Sequence, residues 1–83
     1  MKISYFSIFD KKSNLFSQLF PSHTAGSAER SFQDSINKPD SVHYAHPDDY
    51  ALYHCFDYDD ETSRIIVAHD PPNLIVDGSQ LKQ

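Results

Sequence analysis

The chain has 83 residues, a formal net charge of −5 and a single cysteine. That length supports one domain spanning residues 1–83; a lone cysteine excludes an internal disulfide, and no cysteine cluster suggests structural zinc. A chain this small buries only about 60% of the surface its unfolded form exposes, so self-association is the remaining source of extra stability. Met1-Lys2-Ile3-Ser4-Tyr5 holds no apolar run of signal-peptide length, and no segment approaches the ~20 apolar residues of a membrane helix. A reducing cytoplasm fits these features. Charge is uneven: residues 1–38 carry five basic and three acidic side chains, and residues 39–83 carry two basic and nine acidic ones. The overall sign disfavours coating nucleic acid by charge alone, because phosphate contacts need Lys and Arg in number. It leaves a local basic surface at Lys11-Lys12.

In chain order, residues 2–9 read as a strand with Ile3, Tyr5 and Phe9 on one side and Phe6 and Ile8 on the other. Asp10 to Asn14 is a polar turn. Leu15 to Phe20 reads as the returning strand, stopped by Pro21, so residues 1–20 form an antiparallel hairpin. A helix over residues 24–38 follows. Thr24 is its N-cap, with Ser27 the competing choice, and Ala25, Ala28, Phe32 and Ile36 form one apolar stripe. Pro39 forbids continuation. Residues 40–49 read as a loop. A second hairpin spans residues 50–69: strand Tyr50 to Tyr58, an acidic turn, and strand Arg64 to His69, ended by Pro71-Pro72. The tail, residues 70–83, holds Leu74-Ile75-Val76, which fits either a short strand or a helical turn.

The order β-β-α-β-β defines an α+β domain, a small antiparallel four-stranded sheet with one helix on one face. The expected core is Phe6, Ile8, Ala28, Phe32, Ile36, Tyr53, Cys55 and Ile66. The third strand reads with Leu52, Phe56 and Tyr58 on one side and Tyr53 and Cys55 on the other. Strands apolar on both sides normally have both faces covered, and one helix covers only one. The open face is therefore expected to meet a second copy of the chain, as a homodimer, or the bases of a single strand.

Chemistry-bearing clusters are sparse. His43 and His46 lie near Asp48 and Asp49, but His23, His54, His69 and Cys55 are scattered and lack zinc spacing, so no metal ligands are assigned. Asp57, Asp59, Asp60 and Glu61 lack the glycine and twelfth-position Glu of a calcium loop and read as a charged turn. Cys55 reads as a small buried hydrophobe, not a nucleophile. With only Gly26 and Gly78 there is no phosphate-cradling loop. No catalytic residues and no cofactor are expected, and the chain reads as a non-enzyme.

Three segments carry a resemblance: Tyr5-Phe6-Ser7-Ile8-Phe9-Asp10, His46-Pro47-Asp48-Asp49-Tyr50-Ala51-Leu52-Tyr53, and Tyr58-Asp59-Asp60-Glu61-Thr62. Together they are similar to the small non-structural proteins of gokushoviruses, single-stranded-DNA phages of the microvirus family, over roughly residues 2–70. Ser63 departs from the pattern, since members usually carry glycine there. A hairpin turn prefers glycine at its left-handed position. The resemblance implies an accessory factor that is not part of the capsid. It implies action in the host cytoplasm during genome synthesis or packaging, with single-stranded DNA or a phage replication or capsid protein as partner. The corresponding DNA site is expected on the first hairpin: Lys2, Lys11 and Lys12 for phosphates, and Tyr5, Phe16 and Phe20 for stacking.

Overall fold

The computed structural model describes residues 1–83. Its elements are β1 (Lys2–Asp10), β2 (Leu15–Phe16), β3 (Phe20–Ser22), α1 (Ala25–Ile36), α2 (Val42–Ala45), β4 (Tyr50–Asp59) and β5 (Arg64–Asp77). Single 3-10 turns precede β4 (Pro47–Asp49) and follow β5 (Gly78–Gln80). All pairings are antiparallel. The sheet runs β2-β1-β4-β5, with β3 joining β2 on the outer side of β1. This is the α+β architecture read from the sequence, with α1 on one sheet face.

α1 forms where its signals lie. The Thr24 hydroxyl accepts from the Ser27 N–H at 3.0 Å, satisfying one of the open donors of the first turn. Ala28, Phe32 and Ile36 turn inward and are buried. At the other end the Asn37 side chain donates to the carbonyls of Gln33 and Leu81 at 2.9 and 3.0 Å. The bond to Leu81 draws the C-terminal segment under the helix, where Leu81 enters the core with Phe6, Ala28, Phe32, Ile36 and Leu52. The segment expected as a loop before β4 instead contains α2. Ser41 caps it, and the His43 ring packs edge-on against Phe32 and Tyr50.

Two one-residue shifts in strand register decide which side chains face the helix. Phe9 lies opposite Phe16, yet Phe6 lies opposite Phe20, so the returning chain carries one extra residue between β2 and β3. Side chains alternate faces along a strand, so one extra residue moves everything beyond it to the other side. Phe16 and Phe20 thus part: Phe20 packs on Phe6, 6.1 Å between ring centroids, on the helix side. Pro21 does not stop the strand as expected; it sits within β3, at an edge where its missing N–H costs no ladder bond. In β4, Tyr5 pairs with Phe56 but Phe6 with His54, which leaves Cys55 as the bulged residue. Leu52 and His54 therefore face the helix, while Phe56 and Tyr58 face away.

These shifts correct the expected core. Phe6, Ala28, Phe32 and Ile36 are buried and Ile8 packs against them, but Tyr53 faces away from the helix and Cys55 is only half-buried. Ile66, an extra residue of β5 at another register shift, is 50% exposed. Leu52 and Leu81 take the core places. The fourth strand also runs on past Pro71-Pro72. Residues 69–72 loop out between the pairs Phe56–Ala68 and His54–Asn73, so neither proline sits in the ladder, and Leu74-Ile75-Val76 is strand. The turn after β4 keeps its left-handed residue without glycine: Ser63 has φ of 61°.

Gly78 answers a close approach. A Cβ there would lie 2.3 Å from the Pro47 carbonyl oxygen and 2.9 Å from that of Tyr50. The end of β5 thus seats directly on the turn that starts β4.

Candidate functional site

The face of the sheet opposite α1 is built from alternate residues of three strands. β1 contributes Ile3, Tyr5, Ser7 and Phe9; β4 contributes Ala51, Tyr53, Phe56 and Tyr58; β5 contributes Ile65, Ala68, Leu74 and, at its end, Asp77. Only Asp77, paired with Lys11, is charged. The rings form two groups. Tyr5 stacks on Phe56 at 5.2 Å between centroids and meets Tyr58 edge-on at 6.3 Å. Phe9 packs on Phe16 at 4.7 Å, and Tyr53 meets those two rings edge-on at 6.1 and 5.4 Å. Tyr5 and Phe9 stand four residues apart on β1, which separates the groups by about 13 Å along the strand. Between them Ser7 is closed off, its hydroxyl donating to the Ser17 carbonyl at 2.7 Å. Phe16, Ile65 and Leu74 are exposed, and no helix covers the face.

The charged groups lie around this face. The Lys11 amine bonds Asp77 and the Asp48 carbonyl, which ties the first hairpin turn to the end of the β4–β5 unit where β4 begins and β5 finishes. Burial acts to raise the pKa of Asp77, but the Lys11 and Ser79 hydrogen bonds prevail and hold it below the usual carboxylate range. Lys2 lies 3.9 Å from Asp57. Asp57 itself is nearly buried and bonded to His54 at 2.8 Å. Burial would raise it, yet hydrogen bonds from Ser4 and His54 and the nearby charges keep it low. The next ring, His69, bonds His54 at 3.2 Å. Asp59, Asp60 and Glu61 gather around the Met1 amine. Lys12 makes no ion pair through its side chain; its backbone N–H donates to the Asp10 carboxylate at 2.9 Å.

The structure thus brings together only part of the expected site. Tyr5 and Phe16 share the open face, in separate ring groups. Phe20 is the exception that needs correcting: the register shift places it against the core on the opposite face, where it cannot take a base. Lys11 is held in an ion pair, and Lys2 and Lys12 remain exposed. Sequence reading missed Phe9, Tyr53, Phe56 and Tyr58 as one surface, because nothing in the residue pattern marks Cys55 as a bulge. Burial pushes the Cys55 thiol up, away from thiolate chemistry. No group of three or more His, Cys, Asp or Glu side chains converges to hold a metal. No helix is long and apolar enough to cross a membrane.

The chain is thus a small α+β fold that leaves one aromatic sheet face without a covering helix. Residues 3–81 match the family model described as Phage ORF5 protein, and the chain belongs to this phage protein family. No curated protein and no solved structure matches it.

Proposed function

We propose that this phage protein is a non-structural accessory factor of a gokushovirus-type, single-stranded-DNA phage, and that it binds single-stranded DNA weakly during genome synthesis or packaging in the host cytoplasm. It works by binding and not by catalysis. The observation that carries this reading is the open, largely uncharged face with two ring groups. Every base has a π-face, so such platforms accept bases without regard to sequence. Stacking contributes roughly 1–3 kcal/mol per base. Two platforms would then give dissociation constants from tens of millimolar to tens of micromolar before any phosphate contact adds to them. Few cations are free, so the salt dependence is shallow, about −0.7 in log–log slope per phosphate neutralised.

A second reading rests on the same face's scarcity of charge together with the net charge of −5. Apolar sheet faces of this kind pack on protein, and a second copy of the chain or a phage or host protein would cover it without DNA contact. Fluorescence anisotropy of a labelled single-stranded oligonucleotide over a salt series, run beside sedimentation equilibrium, separates the two. Binding that weakens in Tyr5→Ala and Phe56→Ala, by a chain that sediments at 9.5 kDa, supports the DNA reading. No binding at low salt, with twice that mass, supports the protein-interaction reading.

A further inference from the structure

Between the start of β1, β3 and α1 lies a cleft of about 440 Å³. Its polar lining is Lys2, Ser22, His23, Ser27 and Ser31, and no carboxylate is among the lining residues of a chain that carries twelve. Ser27 and Ser31 are one helical turn apart and so share one side of α1. Ser27 gives only its backbone N–H within the chain, to the Thr24 hydroxyl, and its own hydroxyl is left for a ligand. Met1 also lines the cleft, but its amine is turned to Asp60 and Glu61. Lys2, with a side chain 61% exposed, touches a carboxylate only at 3.9 Å, from an Asp57 already bonded to His54. Lys2 and His23 are therefore the groups able to meet an anion, with three hydroxyls as additional donors.

The cleft is walled by α1 on the helix side of the sheet and reaches the β3 edge that bounds the aromatic face. Ile3, on that face two residues before Tyr5, lines it, and so does Pro21, the cross-strand partner of Tyr5. A strand whose base lies on the Tyr5–Phe56–Tyr58 group can turn its backbone over the β3 edge into the cleft. Hydroxyl and ammonium donors suit the non-bridging oxygens of a phosphodiester. We infer that this cleft is a phosphodiester subsite for the backbone of a single strand stacked on the Tyr5 ring group. The inference rests on the DNA reading for the identity of the ligand. It moves the phosphate-binding groups from the Lys11-Lys12 turn, where Lys11 is held by Asp77, to the opposite end of β1.

The test is anisotropy over a salt series with a labelled oligothymidylate and an abasic strand of the same length. Wild type is compared with Lys2→Gln/His23→Gln and, separately, with Ser27→Ala/Ser31→Ala, each checked for an unchanged thermal melt. The expected result is that both variants bind both strands several-fold more weakly, and that the log–log salt slope of the first becomes shallower by about 0.7 for each phosphate it no longer neutralises. Variants that bind as wild type does, with the same slope, while Tyr5→Ala weakens binding, overturn the subsite and leave the DNA reading standing. A wild type that binds neither strand at low salt overturns both.

Discussion

Replacing Phe32 by alanine removes the largest side chain that α1 delivers to the core. Phe32 is 1% exposed, lies in a cluster of six buried residues, and meets the His43 ring edge-on at 5.8 Å. Buried Phe→Ala substitutions cost about 3–5 kcal/mol, because transfer free energy is lost and a cavity remains. A chain of this length holds about 4–12 kcal/mol in total, so the variant sits at the edge of folding. At about 4–8 °C per kcal/mol for a domain of this size, the midpoint should fall by about 12–40 °C. Ile66→Ala is the matched comparison. Ile66 is a large aliphatic residue in a strand, expected from sequence to be core, yet it is half exposed, and its loss should cost under about 1 kcal/mol. Thermal and urea unfolding followed by far-ultraviolet circular dichroism measures both. Equal losses in the two variants, or a Phe32→Ala midpoint within a few degrees of wild type, would refute the assigned helix face and the bulge that excludes Ile66.

Gly78→Ala should be strongly destabilising, since its Cβ would overlap the Pro47 and Tyr50 carbonyl oxygens; a urea midpoint equal to wild type would show that β5 does not seat on that turn. Stability should also fall with acid in two stages. Burial holds His43 below its ordinary 6.5, an effect Asp10 only partly offsets, so the unfolded chain takes up that proton first and stability declines as pH drops below about 6.5. Asp57 and Asp77 are held below 3.8, so their contribution is present above that value and is lost as pH falls through their lowered values. Urea midpoints from pH 8 to pH 3 check this, and His43→Gln should flatten the first stage. A wild-type midpoint constant from pH 7 to pH 5 would contradict it.

Much of the frame was legible in the chain. β1, α1 and β4 follow from alternation, a Thr cap and a 3,4-spaced apolar stripe, all short-range signals. What the chain concealed is non-local. A one-residue bulge has no signature of its own, yet Cys55 decides whether Phe56 and Tyr58 join Leu52 in the core or Tyr5 on the open face, and the extra residue before Phe20 separates it from Phe16. Pro71-Pro72 reads as a strand end; the strand passes them because they loop out of the ladder at a sheet edge. Lys11 reads as a free cation, since its partner Asp77 lies 66 residues away in sequence. The missed core residue Leu81 likewise depends on a bond to Asn37 that spans about half the chain.

The central claim is that single-stranded DNA lies on the sheet face away from α1. The most direct measurement is a titration of isotope-labelled protein with oligothymidylate, followed through aromatic ring resonances. The expected result is progressive shifts of Tyr5, Phe56 and Tyr58, and of Phe9, Phe16 and Tyr53, while Phe6, Phe20 and Phe32 on the helix side stay unmoved. Shifts confined to the helix side or to the Asp59–Glu61 turn, or none at millimolar oligonucleotide, would contradict the claim.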